Sequence, residues 1–194
     1  GNDTRTFWKF DIGDGDWSAL SNAPASVSGG GALAYASGFV YAFRGSDEDT
    51  FWRYDIGGAS WSSRSNAPDD VDWGAALAWD GSDTIYALRG DDKQDFWKYT
   101  ISTDSWSSLE DTPADADKGG AIAYVNGNIY AFRGQDRKDF WRYNVGSDTW
   151  TGLAVAPNDV DEGGSLAWDG GNFVFGTPGD KRSEFWRYSI SGGA

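Results

Sequence analysis

An all-β fold made of one four-stranded unit repeated four times is predicted by three observations. The pair Phe-Trp recurs at Phe7, Phe51, Phe96, Phe140 and Phe185, at alternate steps of 44 and 45 residues. Tryptophans keep the same beat ten residues later at Trp17, Trp61, Trp106 and Trp150, and prolines seven further on at Pro24, Pro68, Pro113 and Pro157. The chain is also rich in glycine, aromatic residues and aspartate and poor in helix formers, which favours short strands joined by tight polar turns. A period of this length marks supersecondary units that bury their faces only by stacking on one another.

Each unit reads strand by strand. In 7–12, Trp8, Phe10 and Ile12 share one face and Phe7, Lys9 and Asp11 the other, the period of a strand. Gly13-Asp14-Gly15 turns the chain into a short strand around Trp17. A longer polar connection through Pro24 leads to Gly30-Gly31-Ala32-Leu33-Ala34-Tyr35, whose small residues suit a strand packed closely on its neighbours. Ser37-Gly38 turns it into the strand 39–43, and an acidic loop precedes the next Phe-Trp strand. Asp80-Gly81, Asn126-Gly127 and Asp169-Gly170 stand where later copies want a tight hairpin. Each copy thus supplies four antiparallel strands, the makeup of a propeller blade, and 1–194 is expected to form a single domain.

These residues resemble the kelch family: Gly30-Gly31 opens the inner strand, Tyr41-Ala42-Phe43-Arg44-Gly45 forms the second, Phe51-Trp52-Arg53-Tyr54-Asp55 the third, and Trp61 marks the fourth. The resemblance covers nearly the whole chain and implies a kelch-like β-propeller, a scaffold used mostly for binding and sometimes for catalysis. Kelch repeats usually end the second strand in two glycines, whereas this chain has Arg44-Gly45, Arg89-Gly90 and Arg133-Gly134. The Phe-Trp strand occurs five times and each other strand type four times, so a four-bladed ring has one terminal strand too many. Two arrangements accommodate it: a piece of a longer array, or a half ring that two chains complete as an eight-bladed homodimer.

Composition removes several functions. A net charge of −14 argues against nucleic acid and anionic membranes, which excess Lys and Arg bind. The chain has no Cys, His or Met, which excludes thiol and Ser-His chemistry and the usual transition-metal ligands. No run is long and apolar enough for a membrane span. The polar start at Gly1 does not read as a signal peptide and suggests a processed, excised or engineered product. An acidic surface without oxidisable Cys or Met points to an extracellular or cell-surface location.

The connection before each inner strand carries paired acids: Asp70 and Asp72, Asp115 and Asp117, Asp159 and Asp161, with Ser26 and Ser28 in the first copy. Arg44, Arg89 and Arg133 are each followed, one repeat later, by such a pair, while the fourth copy has Pro178 in place of arginine. The expectation is an inter-blade ladder in which each guanidinium reaches forward to the next pair, since its planar fork suits a carboxylate. The competing reading of Asp70, Asp72, Asp115, Asp117, Asp159 and Asp161 is a row of calcium sites, because hard cations want clustered oxygens; no complete ligand loop is present. Lys9, Arg53, Lys98, Arg142 and Arg187 are expected to lay their stems over aromatic rings. The repeated tryptophans are read as core. Trp73 has no aromatic counterpart at Gly29, Lys118 or Glu162, which makes it the best single candidate for a ligand contact.

The function expected is a non-enzymatic binding or assembly module, with a protein or glycan as partner and no cofactor beyond a possible calcium ion. The alternatives are a carbohydrate-binding propeller and a carboxylate-dependent glycan hydrolase or lyase. No carboxylate breaks the repeat in the way a catalytic acid should.

Overall fold

Alternation places Phe51 on one face of its strand and Trp52 and Tyr54 on the other, and all three are buried because the strand is covered on both sides. The computed structural model describes residues 3–191. An N-terminal hairpin pairs β1 (Trp8–Asp11) with β2 (Asp16–Ala19). Three four-stranded antiparallel blades follow. The first is β3 (Leu33–Ala36), β4 (Phe39–Phe43), β5 (Phe51–Asp55) and β6 (Ser60–Ser63); the second is β7 (Ala76–Trp79), β8 (Thr84–Leu88), β9 (Phe96–Thr100) and β10 (Ser105–Ser108). The third is β11 (Ala121–Val125), β12 (Asn128–Phe132), β13 (Phe140–Asn144) and β14 (Thr149–Gly152). A last blade has three strands, β15 (Ser165–Trp168), β16 (Phe173–Thr177) and β17 (Trp186–Ser189).

The strand order is the expected one, innermost first, and β3, β7, β11 and β15 touch in series. The seventeen strands among the described residues are one more than four blades need, and the surplus is divided between the two ends. β1 and β2 are third and fourth strands of a blade without its inner half, whereas the last blade lacks a fourth strand among the described residues. The ring is open. Leu33 and Tyr35 on β3 are each 57% exposed, while Leu77 and Ile122 at the position of Leu33 are covered by neighbours.

One aromatic arrangement holds three seams. The Phe that starts the third strand wedges between the Tyr and the Trp of the next blade: Phe51 lies 5.0 Å from both Tyr99 and Trp106, and Phe96 lies 5.0 Å from both Tyr143 and Trp150. Phe7 meets Tyr54 at 5.1 Å and Trp61 at 5.0 Å in the same edge-on geometry. Such edge-to-face pairs add to the burial of the rings themselves. Each outer Trp also ties the seam through its indole N–H, which donates to a carbonyl of the incoming connection: Trp61 to Ser21, Trp106 to Ser65 and Trp150 to Glu110, all at 2.9 Å.

Two of these seams carry a further anchor that the repeat pattern did not announce. The Tyr99 hydroxyl donates to Asp104 at 2.7 Å and the Tyr143 hydroxyl to Asp148 at 2.6 Å, while the amides of Ser65 and Glu110 donate to the same carboxylates. The hydroxyl and amide donors hold the Asp148 carboxyl below its ordinary value. Burial pushes Asp104 up, but the donors from Tyr99 and Ser65 and the charge of Arg64 outweigh it, so its net shift is also downward.

The reading of tryptophan as core holds in the middle of the chain and fails at its start. Trp52, Trp97 and Trp141 are buried, whereas Trp8 and Trp17 are 52% and 67% exposed, because the hairpin has no inner strands to cover it. Ser37-Gly38 and Asn126-Gly127 form two-residue turns with both φ positive. At Asp80-Gly81 and Asp169-Gly170 the loops are longer: the Asp carboxylates accept from the main chain up to four residues ahead and round off the turn.

Candidate functional site

The loops between second and third strands and the connections into each inner strand share one face of the arc. After each second strand the backbone makes a left-handed turn. Gly90, Asp91 and Asp92 have φ of 74°, 59° and 52°, and the Lys93 amide closes the turn on the Gly90 carbonyl at 3.1 Å. The same turn recurs at 134–137 and 179–182. Asp tolerates this region better than most residues. The connection then crosses over the loop of the preceding blade: isolated bridges pair Glu48 with Val71, Lys93 with Ala116 and Arg137 with Val160.

The ion pairs differ from the expected ladder. Arg44 pairs with Glu48 at 2.6 Å, Arg89 with Asp95 at 3.0 Å and Asp69 at 3.1 Å, and Arg133 with Asp139 at 3.4 Å. Among the described residues none of these arginines pairs with the carboxylate of Asp70, Asp72, Asp115, Asp117, Asp159 or Asp161. Their Nε atoms instead turn back to main-chain carbonyls of the connection into their own blade: Arg44 to Ser26 at 3.3 Å, Arg89 to Asp70 at 2.9 Å and Arg133 to Asp115 at 2.9 Å. Serine serves as well as aspartate here because the acceptor is backbone. Where Pro178 replaces the arginine, Arg182 takes over and donates Nη1 to the Asp159 carbonyl at 3.1 Å. A guanidinium therefore pins the connection in all four copies.

The acids fall into separate environments. Gln94 donates to the Asp115 carboxylate at 2.8 Å. The main-chain carbonyls of Asp72, Asp117 and Asp161 press on Gly30, Gly74 and Gly119 of the preceding repeat, where a Cβ would collide with them. The carboxylates of Asp47, Asp72 and Asp91 bring oxygens within 4.8 Å of one another. Of the six acids considered for calcium, only Asp72 joins such a group among the described residues, and its partners come from turns of two blades rather than from Asp70. Among the described residues the grouping is thus single and crosses a seam, not repeated blade by blade as the competing calcium reading has it.

Burial, with the charges of Asp47 and Asp91 adding to it, pushes the Asp72 carboxyl above its ordinary value, and one of its oxygens is buried without a partner. Asp117 is raised in the same way, first by burial and then by Asp92 and Asp91. A carboxyl raised by folding adds stability below its unfolded pKa of 3.8 and loses it as pH rises through the folded value. Asp72→Asn is therefore expected to raise the thermal midpoint at pH 7 and to leave it unchanged near pH 3, measured by melting curves across that range.

Trp73 is 39% exposed, with the Lys118 ammonium 5.1 Å from its ring centre on one side and Gly29 pressed against its edge. Of the five basic residues after Phe-Trp, two lie over rings among the described residues: Arg53 is 4.1 Å over Phe39 and Arg187 4.7 Å over Phe173.

No curated protein matches the sequence. The solved structure of YjhT is similar with a TM-score of 0.69 and 16% identity, over 91% of this chain and 67% of that one. About a third of that chain has no counterpart here, in keeping with an arc rather than a full ring. Matching solved chains number 636, so the fold by itself does not select a function. The model of the Kelch motif matches residues 118–154, the span that holds β11 to β14. That blade recurs at the same register through the chain, and the fold is a β-propeller with a Kelch motif in its third blade.

Proposed function

We propose that this propeller is a non-enzymatic binding module, extracellular or on the cell surface, that offers its loop face to a protein partner with a basic surface. The observation that carries this reading is a constant frame with changing side chains. The paired left-handed positions hold Ser46-Asp47, Asp91-Asp92, Gln135-Asp136 and Asp180-Lys181 on one backbone conformation. Rigid elements that present variable loop residues are the usual way a repeat scaffold sets specificity. The net charge of −14 favours a cationic partner through long-range attraction.

The test is fluorescence anisotropy with a labelled Lys/Arg-rich peptide at low and moderate salt. Saturable binding that weakens severalfold in Asp91→Asn/Asp92→Asn supports the reading. No binding at low salt, or binding indifferent to these substitutions, contradicts it. A glycan would be met by Trp73, but a stacking sugar must displace Lys118 from the ring. A glycan-array signal abolished by Trp73→Ala would favour that partner.

A second reading rests on Asp72. A carboxyl raised by burial beside Asp47 and Asp91 has the form of a general acid next to a base. A glycan hydrolase or lyase would use it so, and hydrolysis of a polysaccharide panel lost in Asp72→Asn would support the enzyme.

A further inference from the structure

At the seam between the first two four-stranded blades, Asp47 is exposed while Asp72 and Asp91 are half-buried, so their carboxylate group opens to solvent. It is short of donors. One Asp72 oxygen is buried with no hydrogen-bond partner, and among the described residues the only ion pair to the three is Lys93 to Asp91 at 3.6 Å. The next seam shows what is missing. The same repeat positions hold Asp92, Asp117 and Gln135 there, and the Gln135 carboxamide donates to the Asp92 carboxylate. Where that seam has an N–H donor of its own, the first has a third negative charge.

Trp73 stands beside this group. It follows Asp72 in the chain, and its carbonyl accepts from the Asp91 amide at 2.9 Å. A Cβ built on Gly29 would lie 2.7 Å from Asp72 Oδ1 and 2.8 Å from Trp73 Cε2, so the carboxylate and the indole edge lean on the same point of the preceding blade. The ring is 39% exposed, and the ammonium of Lys118, itself an exposed residue, lies 5.1 Å from its centre. In a chain with 30 acidic and 16 basic residues, Lys118 is in no ion pair among the described residues and rests on an indole instead. Such a contact is weak at an exposed site, so a cation that fits better can replace it.

We propose that this corner of the loop face seats one arginine of the partner protein, whose guanidinium stacks on Trp73 in place of Lys118 and donates to the carboxylates of Asp47, Asp72 and Asp91. Arginine fits better than lysine. Its plane matches the face of an indole, and its fork of N–H donors serves more than one carboxylate at once, whereas an ammonium is a compact and strongly hydrated charge. Lys118 is then a resident competitor, which keeps the ring covered until the partner arrives. The net charge of −14 draws in any cation, and this corner selects among them. The inference rests on the loop-face reading given above and adds to it the side chain that is recognised.

The experiment is fluorescence anisotropy with a pair of labelled peptides of equal length and charge, one with arginine and the other with lysine at every basic position. The arginine peptide is expected to bind severalfold more tightly. Trp73→Ala should weaken it by about two- to fivefold, the scale of a cation–π contact at an exposed site, and should narrow the gap between the peptides. Lys118→Ala should tighten binding of the arginine peptide, but not in the Trp73→Ala background, which separates uncovering the ring from removing a positive charge. Melting curves of the variants confirm that each is folded. Equal binding of the two peptides, or a gain from Lys118→Ala that persists without Trp73, would overturn the inference; the loop-face reading would still stand if Asp91→Asn/Asp92→Asn weakened binding. Absence of saturable binding at low salt would remove both.

Discussion

Gly119→Ala is expected to destabilise the protein by more than about 3 kcal/mol, and Gly127→Ala by only about 1 kcal/mol. Both glycines have positive φ, 85° and 82°, so both substitutions carry the cost of placing an L-residue in the left-handed region. Around Gly127 nothing lies within 4 Å of the added carbon. At Gly119 that carbon would fall inside contact distance of the carbonyl of Asp161, in the connection that enters the next blade. The obstacle is backbone, not the tip of a side chain, so the seam has to open. Gly74 against Asp117 repeats this arrangement one blade earlier and should respond alike. Urea unfolding of the two alanine variants measures the difference, and equal losses would mean that the seam is looser than its geometry states.

Phe96→Ala should cost about 3–5 kcal/mol, the range for removing a buried aromatic ring, while Phe185→Ala should stay within about 0.5 kcal/mol. The two residues hold the same position in the repeat. Phe96 has no exposed surface and sits 5.0 Å from both Tyr143 and Trp150 of the next blade. Among the described residues no blade follows Phe185, which is 69% exposed. The contrast therefore separates what the motif contributes from what the neighbouring blade contributes. Because a repeat array gains stability at its interfaces, the second term is the larger. Denaturant midpoints of the two variants provide the comparison.

Much of this was legible in the sequence. The 44- and 45-residue beat located every strand type and the surplus Phe-Trp copy, because those positions are set by side chains that the seams must bury. The pairing of the arginines was not legible. Arg89 reads a carbonyl of Asp70, and a carbonyl is present whatever the side chain, so the coincidence of arginines with acidic pairs pointed to the wrong atoms. The substitute Arg182 lies four positions after Pro178 and so falls outside the repeat register. The carboxylate group of Asp47, Asp72 and Asp91 draws on three separate segments, which no spacing rule brings together. The anchors Tyr99–Asp104 and Tyr143–Asp148 did leave a trace, an Asp five residues after Tyr in two copies, where the first copy has Ala59. Whether the ring closes depends on the rotation between blades, a property of packing that no single repeat encodes.

The central claim is that stability resides in the seams, where the rings of neighbouring blades bury one another. Hydrogen–deuterium exchange tests it most directly. The account predicts slow exchange from β7 to β14 and fast exchange in β1 and β2, where Trp8 and Trp17 are exposed. Protection of β1 and β2 equal to that of the central blades would contradict it.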